Sequence, residues 1–232
     1  MCPLACTEGL IALIRQFPED HTPEVKAILE HCTEGLDGDY ALGAQFITEI
    51  QGGSDVPANL MEAKPENGRY RIYGTKFFTS AIHTEYAVVS AKVTGSEKVG
   101  AFIVPSWLPG DKEREVRNNF RINRIKWKMG TAEVPTGEVT YDGAIAYPIG
   151  PMDRGVPNIV GLVLTLSRLA VGNVSAALMV RAAREAQLYS EFRDVFGTKI
   201  AEWALANQQV RDLVRESQSC LAGLCKIYAL FH

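Results

Sequence analysis

The sequence is poor in the signatures that usually betray a chemistry. Its five cysteines, Cys2, Cys6, Cys32, Cys220 and Cys225, are odd in number, irregular in spacing and form no C-x-x-C pair. That argues against a disulfide framework and leaves a zinc site poorly supported, and it suits a reducing compartment. The four histidines, His21, His31, His83 and His232, show no metal-ligand spacing. No Walker A loop, G-x-S-x-G or G-x-G-x-x-G is present, so the usual hydrolytic and phosphate-cradling arrangements are excluded. Net charge is scarce as well. With 24 basic and 27 acidic residues the formal charge is −3, and no global field draws the chain to nucleic acid or to an acidic membrane. No secretory signal opens the chain, because the apolar run Leu10 to Leu13 is too short and Glu8 precedes it. The very apolar segment Gly155 to Val180 carries Arg168 near its middle, with Pro157, Asn158 and Asn173. A charge at mid-bilayer is expensive, so this run reads as a helix buried in protein and not as a membrane span.

What is present is an ordinary globular mixture, 47% hydrophobic and 22% charged over 232 residues, long enough to bury a sizeable core. Three zones follow one another. The first is helical in pattern: Leu10, Ile11 and Ile14 recur at helical spacing before Pro18, and Val25, Ile28 and Leu29 share one side of Thr22 to His31. Glu34 to Asp39 reads as a turn. The second zone predicts seven short strands over 41–48, 59–63, 69–79, 86–93, 100–104, 121–126 and 137–141, separated by clusters such as Glu66-Asn67-Gly68 and Asp142-Gly143. Such spacing suggests an antiparallel barrel or sandwich. The third zone predicts two long helices, Asn158 to Arg193 and Lys199 to Phe231, with Gly197 ending the first. Two such helices cannot bury both their faces alone and must pack on something else. The order as a whole is α+β and reads as a piece of a longer fold.

Five segments can carry chemistry, each with a plainer alternative. Gln45 to Asp55 runs a strand into Gly52-Gly53 flanked by Thr48 and Ser54; glycines let backbone N–H groups approach a polar ligand, or the segment is an ordinary turn. Phe77 and Phe78 are adjacent on a strand and point to opposite faces, one as a platform for a flat ring, or both are core. Arg168 in the apolar helix should meet a carboxylate, a phosphate or another helix's carbonyls, or is one half of a structural ion pair. Arg193 to Gly197 ends a helix, where arginine also favours the dipole. Asp111 to Lys128 is a basic run with Phe120 and Trp127, either a nucleic-acid patch or a solvated loop.

Together these segments resemble the acyl-CoA dehydrogenase family of flavoproteins. Thr48-Glu49-Ile50-Gln51-Gly52-Gly53-Ser54-Asp55 is similar to the family's T-E-P-x-x-G-S-D signature, with Ile50 where proline is usual. Gln51-Gly52-Gly53 and Cys2-Pro3-Leu4 resemble the bacterial alkylation-response subgroup. Gly74 to Thr79, Lys126 to Gly130, Asp153 to Gly155 and Arg193 to Gly197 match in the right order. The resemblance implies a short helical piece (1–39, the end of an N-terminal helical domain), a middle β-domain (40–150) and the first part of a C-terminal four-helix domain (151–232). It implies FAD as cofactor, an acyl-CoA thioester as substrate, an electron-transfer partner or oxygen as acceptor, a homotetramer in complete form, a place in fatty acid metabolism, and a cytoplasmic or mitochondrial-matrix setting.

Residue by residue, the resemblance puts Phe46, Ile47 and Thr48 along the pyrimidine side of the flavin. Thr48 and the N–H groups near Gly53 and Ser54 hydrogen-bond it, where fixed donors stabilise negative charge. Phe77, Phe78 and Thr79 cover the ring's other edge; Phe77 stands where tryptophan is frequent. Ser54 touches the CoA thioester arm, Arg168 sits near the CoA end, and Arg193 reaches the FAD pyrophosphate of a neighbouring subunit. The family's catalytic glutamate usually lies beyond the point where this chain ends, or in a minority just before the arginine matched by Arg168. Here that position is Ser167, which cannot act as a carboxylate base, so the chain offers no catalytic base. A non-catalytic flavin- or CoA-binding relative and a protein protecting DNA from alkylation are the alternatives; the negative charge and the local nature of the basic run weigh against nucleic acid as a partner.

Overall fold

Thr22 is extended and its hydroxyl accepts a hydrogen bond from the Val25 N–H at 3.3 Å, with Pro23 at the first helical position. That combination starts a helix, and α2 runs over Pro23–Thr33 behind α1, Cys2–Gln16. In this computed structural model, which describes residues 2–35 and 39–231, the chain divides into two compact units, Met1–Ser167 and Arg168–His232. The turn expected over Glu34 to Asp39 falls partly outside the described residues.

The first unit is built on seven strands: β1 (Gly43–Phe46), β2 (Glu62–Glu66), β3 (Arg69–Ser80), β4 (Tyr86–Val93), β5 (Val99–Pro105), β6 (Phe120–Ile125) and β7 (Thr136–Pro148). Pairing runs β4–β2–β3–β7–β5 and returns to β4, so five strands close a barrel. β1 lies beside the start of β4, and β6 beside the first part of β7. The barrel is antiparallel except at β1–β4 and β2–β4, which are parallel. Asn67 and Gly68, both at positive φ, make the two-residue turn that joins β2 to β3.

Asp142-Gly143 is not the turn that its composition suggests. β7 continues through it, and register skips from Ile72↔Ala144 to Tyr73↔Asp142. Gly143, at φ 80°, is the extra residue of a β-bulge, a conformation an L side chain resists.

Alternation sorts the side chains into two cores. Phe102, Val104, Ala87 and Val89 point into the barrel with Phe46, Met61 and Ile72. Ala101, Ile103 and Val88 point outward, onto Leu10, Leu13, Ile14, Val25 and Ile28 of the two helices. Ile159 and Val163 join this outer core from a π-helical turn, Ile159–Val163, which links α3 (Gly155–Asn158) to α4 (Leu164–Phe192).

The second unit holds the remainder of α4, a small hairpin of β8 (Asp194–Val195) and β9 (Thr198–Lys199), and α5 (Ala204–Phe231). Gly197 does not end α4. Phe196 and Gly197, at φ 55° and 79°, form the two-residue hairpin turn instead. The run Gly155–Phe192 is long and apolar enough to cross a membrane by length and composition. The burial expected of it is not found within this chain. From Leu164 to Phe192 the buried residues are Ala176, Ala183 and Ser190, while Val171, Leu178 and Leu188 stay exposed, as do Leu205, Leu213 and Ile227 of α5. Two helices cover only one stripe of each other.

Candidate functional site

The bend after β1 is a tight reversal. Glu49 and Gly52 exchange both backbone hydrogen bonds, Glu49 N–H to Gly52 C=O at 3.3 Å and Gly52 N–H to Glu49 C=O at 3.0 Å. Ile50 and Gln51 form its tip. Gly53 then passes so close to Thr48 that a Cβ there would stand 2.5 Å from the Thr48 hydroxyl, so any side chain at this position would push that hydroxyl aside. Among the described residues the Thr48 and Ser54 hydroxyls and the Gly53 and Ser54 N–H groups make no hydrogen bond. Ser54 is exposed and Thr48 is half-buried. Unspent donors and a glycine that brings backbone close are what a flat polar heterocycle needs from a protein.

Beneath the bend lies a buried polar cluster. Lys76 is fully buried and Glu49 nearly so. The Lys76 ammonium donates to Glu49 Oε1 at 2.9 Å, to the Ile47 carbonyl at 3.0 Å and to Ser90 Oγ at 3.0 Å. Glu49 also accepts from the Leu60 N–H at 2.6 Å and the Met61 N–H at 3.3 Å. Asn59 Nδ2 adds a second donor to the Ile47 carbonyl, 2.9 Å away. Burial pulls the Lys76 pKa down to about 8, against the opposing pull of Glu49.

The aromatic pair meets the bend directly: the Phe77 N–H donates to the Thr48 carbonyl at 2.9 Å. The expected alternation of Phe77 and Phe78 does not hold. Register moves from Lys76↔Val139 to Thr79↔Gly137, so both phenylalanines oppose the single residue Glu138. This second bulge keeps both rings out of the barrel core and excludes the reading of two core aromatics. Lys126 lies over them, its ammonium 3.3 Å from the Phe77 ring centroid and 6.0 Å from that of Phe78. Its own anion is Glu138, at 2.8 Å. Thr79 is buried and donates its hydroxyl to the Gly137 carbonyl at 2.8 Å. Phe46 points into the barrel, and Ile47 packs on the outer core; neither Phe46 nor Thr79 leaves a side chain free at the bend.

Thr48, Gly53, Ser54, Phe77 and Phe78 are therefore brought together in the first unit. Arg168 and Arg193 belong to the second unit, and both are exposed. The buried, paired Arg168 expected from the sequence is not found: α4 buries so little that its guanidinium meets no carboxylate among the described residues. Ser167 donates to the Val163 carbonyl at 3.2 Å and accepts from Gln45 Nε2 at 3.3 Å. The other carboxamide atom, Gln45 Oε1, is buried without a partner among the described residues. Much of the charge of the basic run is engaged within the chain. Lys112 faces Asp39 and Glu85, Arg114 faces Asp111, and Arg124 and Lys126 share Glu138.

Sequence reasoning passed over Glu49, Lys76, Asn59, Ser90 and Lys126 as parts of the site. For Lys76 a signal existed, since it shares the strand phase of Ile72 and Gly74 and so faces the barrel interior.

Residues 44–144 match the family model described as acyl-CoA dehydrogenase, middle domain. The chain is 30% identical over 216 residues to acyl-CoA dehydrogenase family member 11 of Caenorhabditis elegans, covering 88% of this chain and 34% of that protein. It is 30% identical over 213 residues to AidB of Escherichia coli, covering 88% of this chain and 38% of that one. Among solved structures, Caenorhabditis elegans ACDH-11 in complex with C11-CoA superimposes with a TM-score of 0.83 at 26% identity, over 93% of this chain and 37% of that chain. The chain thus spans little more than a third of the length of these relatives.

Proposed function

The chain belongs to the acyl-CoA dehydrogenase family, whose enzymes are FAD-dependent oxidoreductases, and from that premise we propose that the Thr48–Ser54 bend and the Phe77–Phe78 pair hold the isoalloxazine of FAD. One observation carries the reading. The Phe77 N–H bonded to the Thr48 carbonyl joins an aromatic surface to a row of unspent donors. In this arrangement the Thr48 hydroxyl and the Gly53 and Ser54 N–H groups hydrogen-bond the polar edge of the ring, and Phe77 and Phe78 cover its apolar part. When bound, FAD supplies two-electron redox chemistry that no side chain here can.

The substrate in this reading is an acyl-CoA thioester oxidised at its α,β carbons, with Ser54 against the thioester arm; Arg168 and Arg193, in the second unit, are assigned by resemblance alone to a CoA end and to the FAD pyrophosphate of a neighbouring subunit. That ACDH-11 was solved with C11-CoA supports the substrate class. Ser167 is engaged with Val163 and Gln45 and supplies no carboxylate, so proton abstraction is assigned to no residue of this chain. The exposed apolar faces of α4 and α5 suit the inner faces of a larger helical bundle or a second subunit.

Titrating the purified chain with FAD tests the flavin reading. The expected result is saturable uptake with flavin absorption bands. Replacing Thr48 and Ser54 together by alanine leaves the Ser54 N–H in place and removes the one flavin hydrogen bond of the Thr48 hydroxyl, worth about 1 kcal/mol, so affinity falls about fivefold with the circular dichroism unchanged. Equal affinity in the double variant removes the bend from the flavin site.

A further inference from the structure

We propose that Lys76 and Glu49 are positioning residues for this site: the ion pair they bury under the bend fixes the backbone from Ile47 to Gly53, so that its donors stay ordered and unspent. The inference rests on the flavin reading and extends it to residues that do not touch the ring.

A barrel of this size does not need a buried lysine. Taking two charges out of water is costly, and a well-packed apolar pair of the same volume holds a core at least as firmly. What an apolar pair cannot do is grip particular backbone atoms. Lys76 commits its ammonium to Ile47 C=O, Glu49 Oε1 and Ser90 Oγ. Glu49 commits its carboxylate to Lys76, Leu60 N–H and Met61 N–H, and its backbone to Gly52. The bend is thus held from inside at residues 47, 49 and 52, while the Phe77 N–H holds residue 48. Among the described residues, the groups left unheld include the Thr48 hydroxyl and the Gly53 and Ser54 N–H groups.

Chain continuity adds a second effect. Lys76 and Phe77 are consecutive on β3, one turned inward to grip the bend and the next kept outside the core by the bulge. A single strand position therefore sets the spacing between donor row and aromatic surface, and preset geometry of this kind lowers the cost of binding.

The test separates stability from positioning. In the full chain, Lys76→Met leaves the Glu49 carboxylate buried and unpaired, and both melting temperature and FAD affinity fall. The double variant Lys76→Met with Glu49→Leu removes both charges. It is expected to recover most of the melting temperature while FAD affinity stays down roughly tenfold, equivalent to about 1.4 kcal/mol. Amide exchange at Gly52 and Phe77, whose N–H groups are bonded to the Glu49 and Thr48 carbonyls of the bend, quickens in parallel. A double variant that regains both stability and affinity overturns the proposal, because the pair would then be core material only. Where the double variant does not fold, Ser90→Ala carries the test by removing one acceptor of Lys76: slower flavin uptake and faster exchange at Gly52 support the proposal, and no change in either overturns it. An unaltered chain that takes up no FAD ends the flavin reading by itself. The exchange rates at Gly52 and Phe77 still decide whether the pair holds the bend.

Discussion

Glu138 shows how one residue links the platform to the rest of the barrel. It sits between Arg124 and Lys126 at 2.6 and 2.8 Å, and hydrogen bonds from these two cations hold its carboxyl down to about 2. A carboxylate whose folded pKa is depressed adds stability above its unfolded value, here 4.5, and that stability is lost as pH falls from there toward 2. Urea midpoints measured on both sides of this window should fall less for Glu138→Gln than for the unaltered chain. The same change frees Lys126 over Phe77. Residues of this kind were the least legible in the sequence. A glutamate and a lysine read as solvated surface by default, and only the strand phase of Lys76 hinted otherwise. That Thr48 and Gly53 meet at a bend was legible in the glycine pair, whereas a role for them came only from the resemblance, because the spacing also fits an ordinary turn.

Among the elements, the two bulges matter most. Strand existence was readable from alternation and turn residues: β4 occupies the predicted 86–93, and β3 extends one residue beyond the predicted 69–79. The bulges were not readable, since an inserted residue shows only when two strands are laid side by side. Asp142-Gly143 consequently looked like a turn, and Phe77-Phe78 like an alternating pair. Gly143→Ala tests the first bulge. It forces a left-handed backbone on an L residue, costing about 1–2 kcal/mol, and brings a methyl group 3.1 Å from the Tyr73 hydroxyl. A lowered urea midpoint with an unchanged denaturant slope is the expected result.

The whole molecule pairs a well-covered barrel unit with a helical unit whose apolar residues remain in water. That helices of this length need further partners was evident from the sequence. That α4 would leave Arg168 and Leu178 exposed was not, because a pattern shows which face is apolar and not what lies against it. The chain should accordingly enhance the fluorescence of anilinonaphthalene sulfonate while folded. Replacing Leu178, Leu188 and Leu213 by glutamine should remove much of that signal at a stability cost within about 0.5 kcal/mol per site.

Closure of the barrel has a further consequence for how the molecule behaves when crowded. Among the described strands, β6 hangs from β7 by one side alone, and an outer strand of that kind invites other chains to stack on it. Its open row carries Arg121, Asn123 and Arg124, all exposed, and like charges in register repel an identical copy. Self-association of this protein should therefore run through helix faces and yield bundles or amorphous clusters, with cross-β fibrils disfavoured.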